Sequence, residues 1–383
     1  MTSFPQFPTR CWVEIDLAAL ERNLYKIRAA LPDHIRYLAV VKADAYGHGL
    51  AQTATRLMQC GADMFAVANV GEATKLREIG SGWPILILSP VLPEEDDLLF
   101  THNLIPTLST LREVERLNQK AEERNTTLKI HLKIDTGMGR LGVWHEDAQE
   151  LFDALKMAKH LKIEGVFTHF SCAPTDLEFT DLQRNRFLNT LKILENQFDL
   201  SGCLIHADNS ASLASFNRSS PFNAVRVGLL QFGAAPYPDT LFAQVTTEPV
   251  LSFHGKVALV KQLPKGSTIS YGRLTTVTRP TTTAVLTAGY ADGIPMPFTQ
   301  RAEVLVSGKR CKVLGRVTMD QLIIDVTDLP EEPKEGDIAT FIGSQEDEYI
   351  SISEFSNWGN SIPWECFSSI SQRVTRVYKT FRE

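Results

Sequence analysis

The stretch Val40-Val41-Lys42-Ala43-Asp44-Ala45-Tyr46-Gly47-His48-Gly49 decides how the rest of this chain is read. The apolar residues Leu38 to Val41 stop abruptly at a lysine, and a short polar turn holding two glycines follows. A continuous apolar run of this length reads as a strand buried on both faces, as in a parallel sheet. A lysine at the carboxyl end of such a strand points its ammonium into whatever cavity the strand ends line. Burial there disfavours the charged form, lowers the pKa and leaves a nucleophilic amine suited to Schiff-base chemistry. Alone, Lys42 would read as a lysine snorkelling to the strand rim. Tyr46, together with Gly47 and Gly49 as a source of free backbone amides ahead of a helix, points instead to a phosphate held beside the amine.

Outward from this stretch, strand-like and helical runs alternate. Strands are expected at 37–42, 63–68, 85–89, 104–107, 128–134, 163–168, 202–206 and 224–230, the fourth being the weakest. Helices are expected at Leu111–Arg124, Ala148–Lys159 and Phe179–Gln197, and after Asp16, a side chain suited to an N-cap ahead of Leu17, Leu20, Leu24 and Ile27 on one face. This alternation predicts an α/β fold, a (β/α)8 TIM-type barrel with its chemistry where the strands end. Beyond Pro238 the pattern changes to β-branched runs at 250–260, 267–270, 281–287, 302–306, 321–326 and 337–342, with one helix near Ile352–Trp358. The reading is a barrel over 14–243 and a separate C-terminal mainly-β domain over 244–383, residues 1–13 packing with the latter.

Composition agrees with two soluble domains. The chain has 383 residues, 43% hydrophobic and 22% charged, with a net charge of -6. That charge gives no footing for nucleic-acid binding, and no apolar run reaches membrane-spanning length. Met1 to Arg10 lacks the apolar core of a signal peptide, and the six cysteines (11, 60, 172, 203, 311 and 366) form no close pair. A cytoplasmic protein without disulfides, metal site, membrane or nucleic-acid partner is expected.

The string VVKADAYGHG resembles the pyridoxal-phosphate attachment site of the alanine racemases. Further stretches follow in that family's order: Lys133-Ile134-Asp135-Thr136-Gly137-Met138-Gly139-Arg140, Phe167-Thr168-His169, His206-Ala207-Asp208-Asn209-Ser210, Ala224-Val225-Arg226-Val227-Gly228-Leu229, Ser270-Tyr271-Gly272, Ala288-Gly289-Tyr290 and Thr318-Met319-Asp320. The resemblance runs from about residue 11 to 378. It implies a homodimeric isomerase that interconverts L- and D-alanine on pyridoxal 5'-phosphate for peptidoglycan synthesis, with active sites shared between subunits.

The resemblance also implies roles. Lys42 would hold the cofactor and act as base on the face of the D-isomer, with Tyr271, supplied by the other subunit, on the face of the L-isomer. Cofactor contacts would come from Tyr46, His169, Asn209, Ser210 with the helix start behind it, Arg226, Gly228, Leu229 and Trp364. The substrate would meet Arg140, the Met319 amide, Tyr290 and Asp320, and Lys133 would be a site of carbamylation that holds Arg140. Arg226 also stands out by itself, because an arginine within so apolar a run is costly to bury without a purpose. A cation with pKa above roughly 12 cannot yield a proton to a ring nitrogen, so the ring would stay neutral.

Three positions depart from the family pattern: Val227 where proline is usual, and Phe232 and Trp364 where tyrosine is usual. Trp364 keeps open a racemase of broader range that takes serine as well as alanine. A barrel-type amino-acid decarboxylase would need a glycine-triplet loop and a catalytic cysteine motif not seen here. A pyridoxal-phosphate carrier would lack residues 245–383.

Overall fold

The computed structural model describes residues 9–173, 175–210, 222–234 and 245–380. The helix expected behind Ser210 and the expected domain boundary at 243/244 fall outside them. Eight parallel strands form the first unit: β2 (Arg36–Val40), β3 (Met64–Val67), β4 (Ile85–Ile87), β5 (Thr107–Leu108), β6 (Leu128–Asp135), β8 (Leu161–Phe167), β9 (Leu204–His206) and β10 (Ala224–Val227). They pair in the orders β10-β2-β3-β4 and β5-β6-β8-β9. A parallel bridge between Leu86 and Ile105 joins the halves on one side, and one between Asn209 and Arg226 joins them on the other. The sheet closes into a barrel. A two-residue strand β7 (Val143–Trp144) pairs with β6 outside that ring.

Local sequence explains the elements. Tyr37, Leu38, Ala39 and Val40 are all buried, as strands covered on both faces require. The helix Leu17–Ala30 is capped by Asp16, whose carboxylate accepts from the Ala19 N–H at 2.8 Å, and Leu17, Leu20, Leu24 and Ile27 form its buried face. The helix Leu111–Glu123 starts at a Thr110–Glu113 capping box. The weak fourth strand is only two residues long, because the 104–106 segment passes through a single bridge before pairing begins at Thr107. The last strand stops at Val227 rather than 230, and Leu229–Phe232 coil into one tight turn.

The second unit is an antiparallel sheet. β11 (Leu251–Leu263), β14 (Thr281–Leu286), β17 (Leu322–Asp325), β16 (Lys309–Leu314), β15 (Glu303–Val306) and β18 (Ile338–Gln345) pair in that order, and β18 returns to β11. β1 (Cys11–Asp16) lies antiparallel to β11 and parallel to β20 (Thr375–Lys379), so the first strand of the chain belongs to the second sheet. Strands β16, β19 (Glu348–Ile350) and β20 escape a sequence reading because their charged residues mask the apolar alternation. The expectation of a single helix here is corrected: a second, Pro363–Ser369, follows Ile352–Trp358 and carries Trp364. The hairpin β12 (Thr268–Ile269) and β13 (Thr275–Thr276) holds Tyr271 at its tip.

Candidate active site

Lys42 follows β2 after Val41, and the next four residues form a left-handed turn, with φ of 53° to 55° at Ala43, Asp44, Ala45 and Tyr46. Such backbone costs roughly 1–2 kcal/mol per L-residue and persists only where its surroundings over-determine it. Here Glu72 accepts from the Ala43 N–H at 2.8 Å with one oxygen and from the Ala68 N–H at 2.7 Å with the other. Asp44 caps the next helix through the Leu50 N–H at 2.7 Å. The second domain closes on the turn: a Cβ at Gly47 would meet the Phe367 carbonyl at 2.2 Å, and one at Gly49 the Tyr378 hydroxyl at 1.8 Å.

The expected role of these glycines is therefore corrected. Their N–H groups bond to the carbonyls of Ala43 and Asp44, both at 2.9 Å, and are not available to a phosphate. What Gly47 and Gly49 supply is positive φ and room for the second domain. The turn is strained, and both domains hold it.

The barrel mouth holds a cavity of about 720 Å³ lined by Lys42, Tyr46, Lys133, Arg140, His169, Asn209, Ser210, Arg226, Gly228, Leu229 and Trp364, among others. Burial lowers the Lys42 pKa, and the nearby Arg140 and Arg226 cations lower it further against the opposing Glu72. Burial likewise brings Lys133 down to about 7, with Arg226 and Arg140 adding to the effect. Arg140 arrives on a turn built by Asp135, whose carboxylate accepts from the backbone N–H groups of residues 137 to 140 at 2.9 to 3.2 Å. Four cationic side chains line the cavity, and among the described residues no carboxylate does.

Arg226 is the hub beneath the cavity. Its terminal nitrogens donate to the carbonyls of Thr168 (3.0 Å), His206 (3.2 Å) and Ala207 (2.9 Å), and to ring nitrogens of His206 (2.8 Å) and His169 (3.1 Å). A guanidinium only donates, so Nδ1 of both histidines must accept. His206 then carries its proton on Nε2 and gives it to His131 Nδ1, 3.1 Å away. Burial and the Arg226 charge hold His169 and His206 neutral, well below the ordinary histidine pKa. Burial lowers Arg226 itself to about 10. Its Nε–H makes no hydrogen bond among the described residues.

At the other end of the cavity the Ser210 hydroxyl accepts from the Gly228 N–H at 2.8 Å. A Cβ at Gly228 would stand 2.7 Å from the Tyr46 hydroxyl, so only glycine leaves this corner open. Phe167 was not singled out in the sequence. Its ring is stacked on His206 at 4.8 Å and lies beneath both Lys133 and Arg226, at 5.1 and 5.3 Å. Its place just ahead of Thr168-His169 was the available signal.

Tyr271, Tyr290, Met319 and Asp320 do not line this cavity. They lie on the second domain, where Tyr271 is 70% exposed, Met319 52% and Tyr290 44%. Around Tyr271, Ser270, Gly272 and Arg273 all have positive φ. The strained tip is pinned by the Ser270 hydroxyl donating to the Arg316 carbonyl at 2.7 Å.

A (β/α)8 barrel with a buried amine of lowered pKa at its mouth and a β domain clasping that amine's turn defines a two-domain barrel enzyme. The chain belongs to the alanine racemase family, and so to the isomerases. The model of the family's N-terminal domain matches residues 15–236 and that of its C-terminal domain residues 250–378. An alanine racemase from Methylacidiphilum infernorum is 38% identical over 381 residues, covering 99% of this chain and 95% of that protein. One from Halothermothrix orenii is 37% identical over 369 residues, covering 96% of each. The crystal structure of the Bacillus anthracis alanine racemase with bound L-Ala-P is 36% identical, with a TM-score of 0.90 over 98% of this chain and 96% of that one.

Proposed function

We propose that this chain interconverts L- and D-alanine with pyridoxal 5'-phosphate as a cytoplasmic homodimer, supplying D-alanine for peptidoglycan. The observation that carries the reading is the cavity with Lys42, Lys133, Arg140 and Arg226 in its wall and no described carboxylate. Such a wall suits a ligand with a phosphate at one end and a substrate carboxylate at the other. The residues fit the cofactor. The unengaged Nε–H of Arg226 suits a ring nitrogen that accepts, and the Tyr46, Ser210 and Gly228 corner, with Asn209, Leu229 and Trp364, suits a phosphate. The six free cysteines agree with a reducing compartment.

Pyridoxal phosphate, when bound, supplies the electron withdrawal that makes the alanine α-proton acidic. The protein does the rest. Lys42 Nζ, whose pKa is lowered by burial and by the neighbouring Arg140 and Arg226 cations, takes or returns the proton on one face. The phenol of Tyr271 from the second subunit serves the opposite face, since inversion requires donation from the side opposite to removal. Arg226 would hold the ring nitrogen through its unengaged Nε–H while keeping its own proton, so the bound cofactor would be a moderate electron acceptor and would favour return of the proton to the same atom. Arg140 and the Met319 amide hold the carboxylate, beside Tyr290 and Asp320. The Lys133 amine, mostly neutral above pH 7, is the form that adds carbon dioxide, losing a proton to become a carbamate that pairs with Arg140.

Purified protein given L-alanine should form D-alanine, with no carbon dioxide released, and Lys42→Ala should abolish both the turnover and the borohydride-reducible adduct. A reducible adduct surviving on another lysine would sink the Lys42 assignment. Trp364 in the cavity wall favours a second reading, a racemase of alanine and serine. Comparable kcat/KM for L-serine and L-alanine would establish it.

A further inference from the structure

Three backbone segments meet under the exposed face of the second domain. The 288–293 turn is seated on the 318–321 turn: Tyr290 and Ala291 donate their N–H groups to the carbonyls of Thr318 and Met319, each at 3.0 Å. A Cβ at Gly289 would meet those carbonyl oxygens at 2.3 and 2.4 Å. Gly293 is covered by the third segment, where a Cβ would meet Ile370 Cα at 2.9 Å. Arg373 ties the three together. Its Nε donates to Asp292 Oδ1 at 2.6 Å, and one terminal nitrogen donates to Asp292 Oδ2 at 3.0 Å and to Asp320 Oδ1 at 2.8 Å. Asp292 is buried and also accepts from the Gly289 N–H at 2.8 Å, so one carboxylate closes the turn that bears Tyr290.

We propose that Arg373 is a positioning residue for the half-site that each subunit presents to its neighbour, locking the Tyr290 turn to the Met319–Asp320 turn and neutralising Asp320 beside the amide that meets the substrate carboxylate. This rests on the reading that the active site is shared between two chains. Two physical effects act together. The forked guanidinium bridges two carboxylates in one geometry, which a point-charged ammonium cannot reproduce. Without it, the Asp320 carboxylate stands unneutralised one residue from Met319 and repels an incoming amino-acid carboxylate. The same segment continues to Arg376, which donates to the Gly47 carbonyl at 3.3 Å, so Arg373 also lies on a route to its own chain's Lys42 turn. Its effect falls on the partner's site and not on its own.

Arg373→Ala should raise the KM for alanine about tenfold, with kcat changed by less than about threefold, and Arg373→Lys should fall between it and the wild type. Adding Asp320→Asn to Arg373→Ala should bring KM back towards the wild-type value, because the repelling charge is gone; a purely structural loss would leave KM unimproved. The decisive measurement mixes Arg373→Ala subunits with Lys42→Ala subunits. The working site of the hybrid joins Lys42 of one chain to the turns of the other, which keep Arg373, so its KM should be that of the wild type. A hybrid with the raised KM of the Arg373→Ala homodimer would place the effect in the chain's own cavity and overturn the proposal, as would an unchanged KM in the homodimer. Should Arg373→Ala fail to fold by thermal melting, Arg373→Lys is carried through the same mixing and read the same way. Mixing Lys42→Ala with Tyr271→Phe is the control: no recovery despite demonstrated subunit exchange would remove the shared site itself, a failure separate from that of Arg373.

Discussion

The barrel mouth and the outer face of the second domain both present candidate site residues on glycine-containing turns, in opposite settings. At the mouth, burial among cations lowers the pKa of Lys42, Lys133 and His169. On the second domain Tyr271, Tyr290 and Met319 stand exposed around a strained hairpin and two interlocked turns. On the proposed function, one chain builds the desolvated half of a reaction centre unaided. The other half, with the Tyr271 phenol, stands in water. In the proposed dimer the second copy supplies the missing desolvation, so the contrast between the two regions is the outline of a site divided between chains.

The largest effect expected from breaking this contrast is at Tyr271. Tyr271→Phe should lower kcat by roughly 100- to 10,000-fold, the usual worth of a positioned proton-transfer group. α-Deuterium exchange in single turnovers should fall far more from L-alanine than from D-alanine. Equal losses for the two isomers would make the residue structural.

The clasp on the Lys42 turn comes next. Gly49→Ala places a methyl on the Tyr378 hydroxyl at φ of 88°, and overpacking of this sort costs roughly 1–3 kcal/mol. Denaturant midpoints should show the loss, and adding Tyr378→Phe should return part of it. A wild-type midpoint for Gly49→Ala would mean that the two domains do not close on the turn in solution.

The smallest effect concerns Lys133. Its pKa, about 7 when folded against 10.5 for an ordinary lysine, means that between those values the unfolded chain holds a proton the folded chain has shed. Stability therefore rises with pH across that window, and the cost of burying a charged lysine is full below about pH 7. In carbon-dioxide-free buffer, Lys133→Met should be roughly 1–2 kcal/mol more stable than wild type at pH 6, the gain fading by pH 10. A constant difference across that range would show that Lys133 is not held neutral by burial.

Much of the barrel was legible because a parallel sheet covered on both faces must be written as unbroken apolar runs. Val40-Val41-Lys42 and Phe167-Thr168-His169 mark the places where such runs end in polar residues, which is where a barrel does its chemistry. The second domain was legible in outline, but β16 and β20 carry lysines and arginines that hide their period, and the helix bearing Trp364 is only seven residues long. The glycines of the opening stretch were misread because a positive φ and a close approach leave the same letter in a sequence as a free amide.

What the sequence determined by itself was the alternation of strands and helices in the first unit, the lysine just after β2 and the family to which the motifs point, all properties of residues near one another along the chain. What only the tertiary structure decided was which charges share a cavity, which nitrogen of His169 and His206 accepts, that Gly47 and Gly49 make room for the second domain, and that Arg373 joins turns 81 and 53 residues away from it. These depend on burial and on contacts between distant segments, and neither desolvation nor hydrogen-bond geometry exists until the chain has folded.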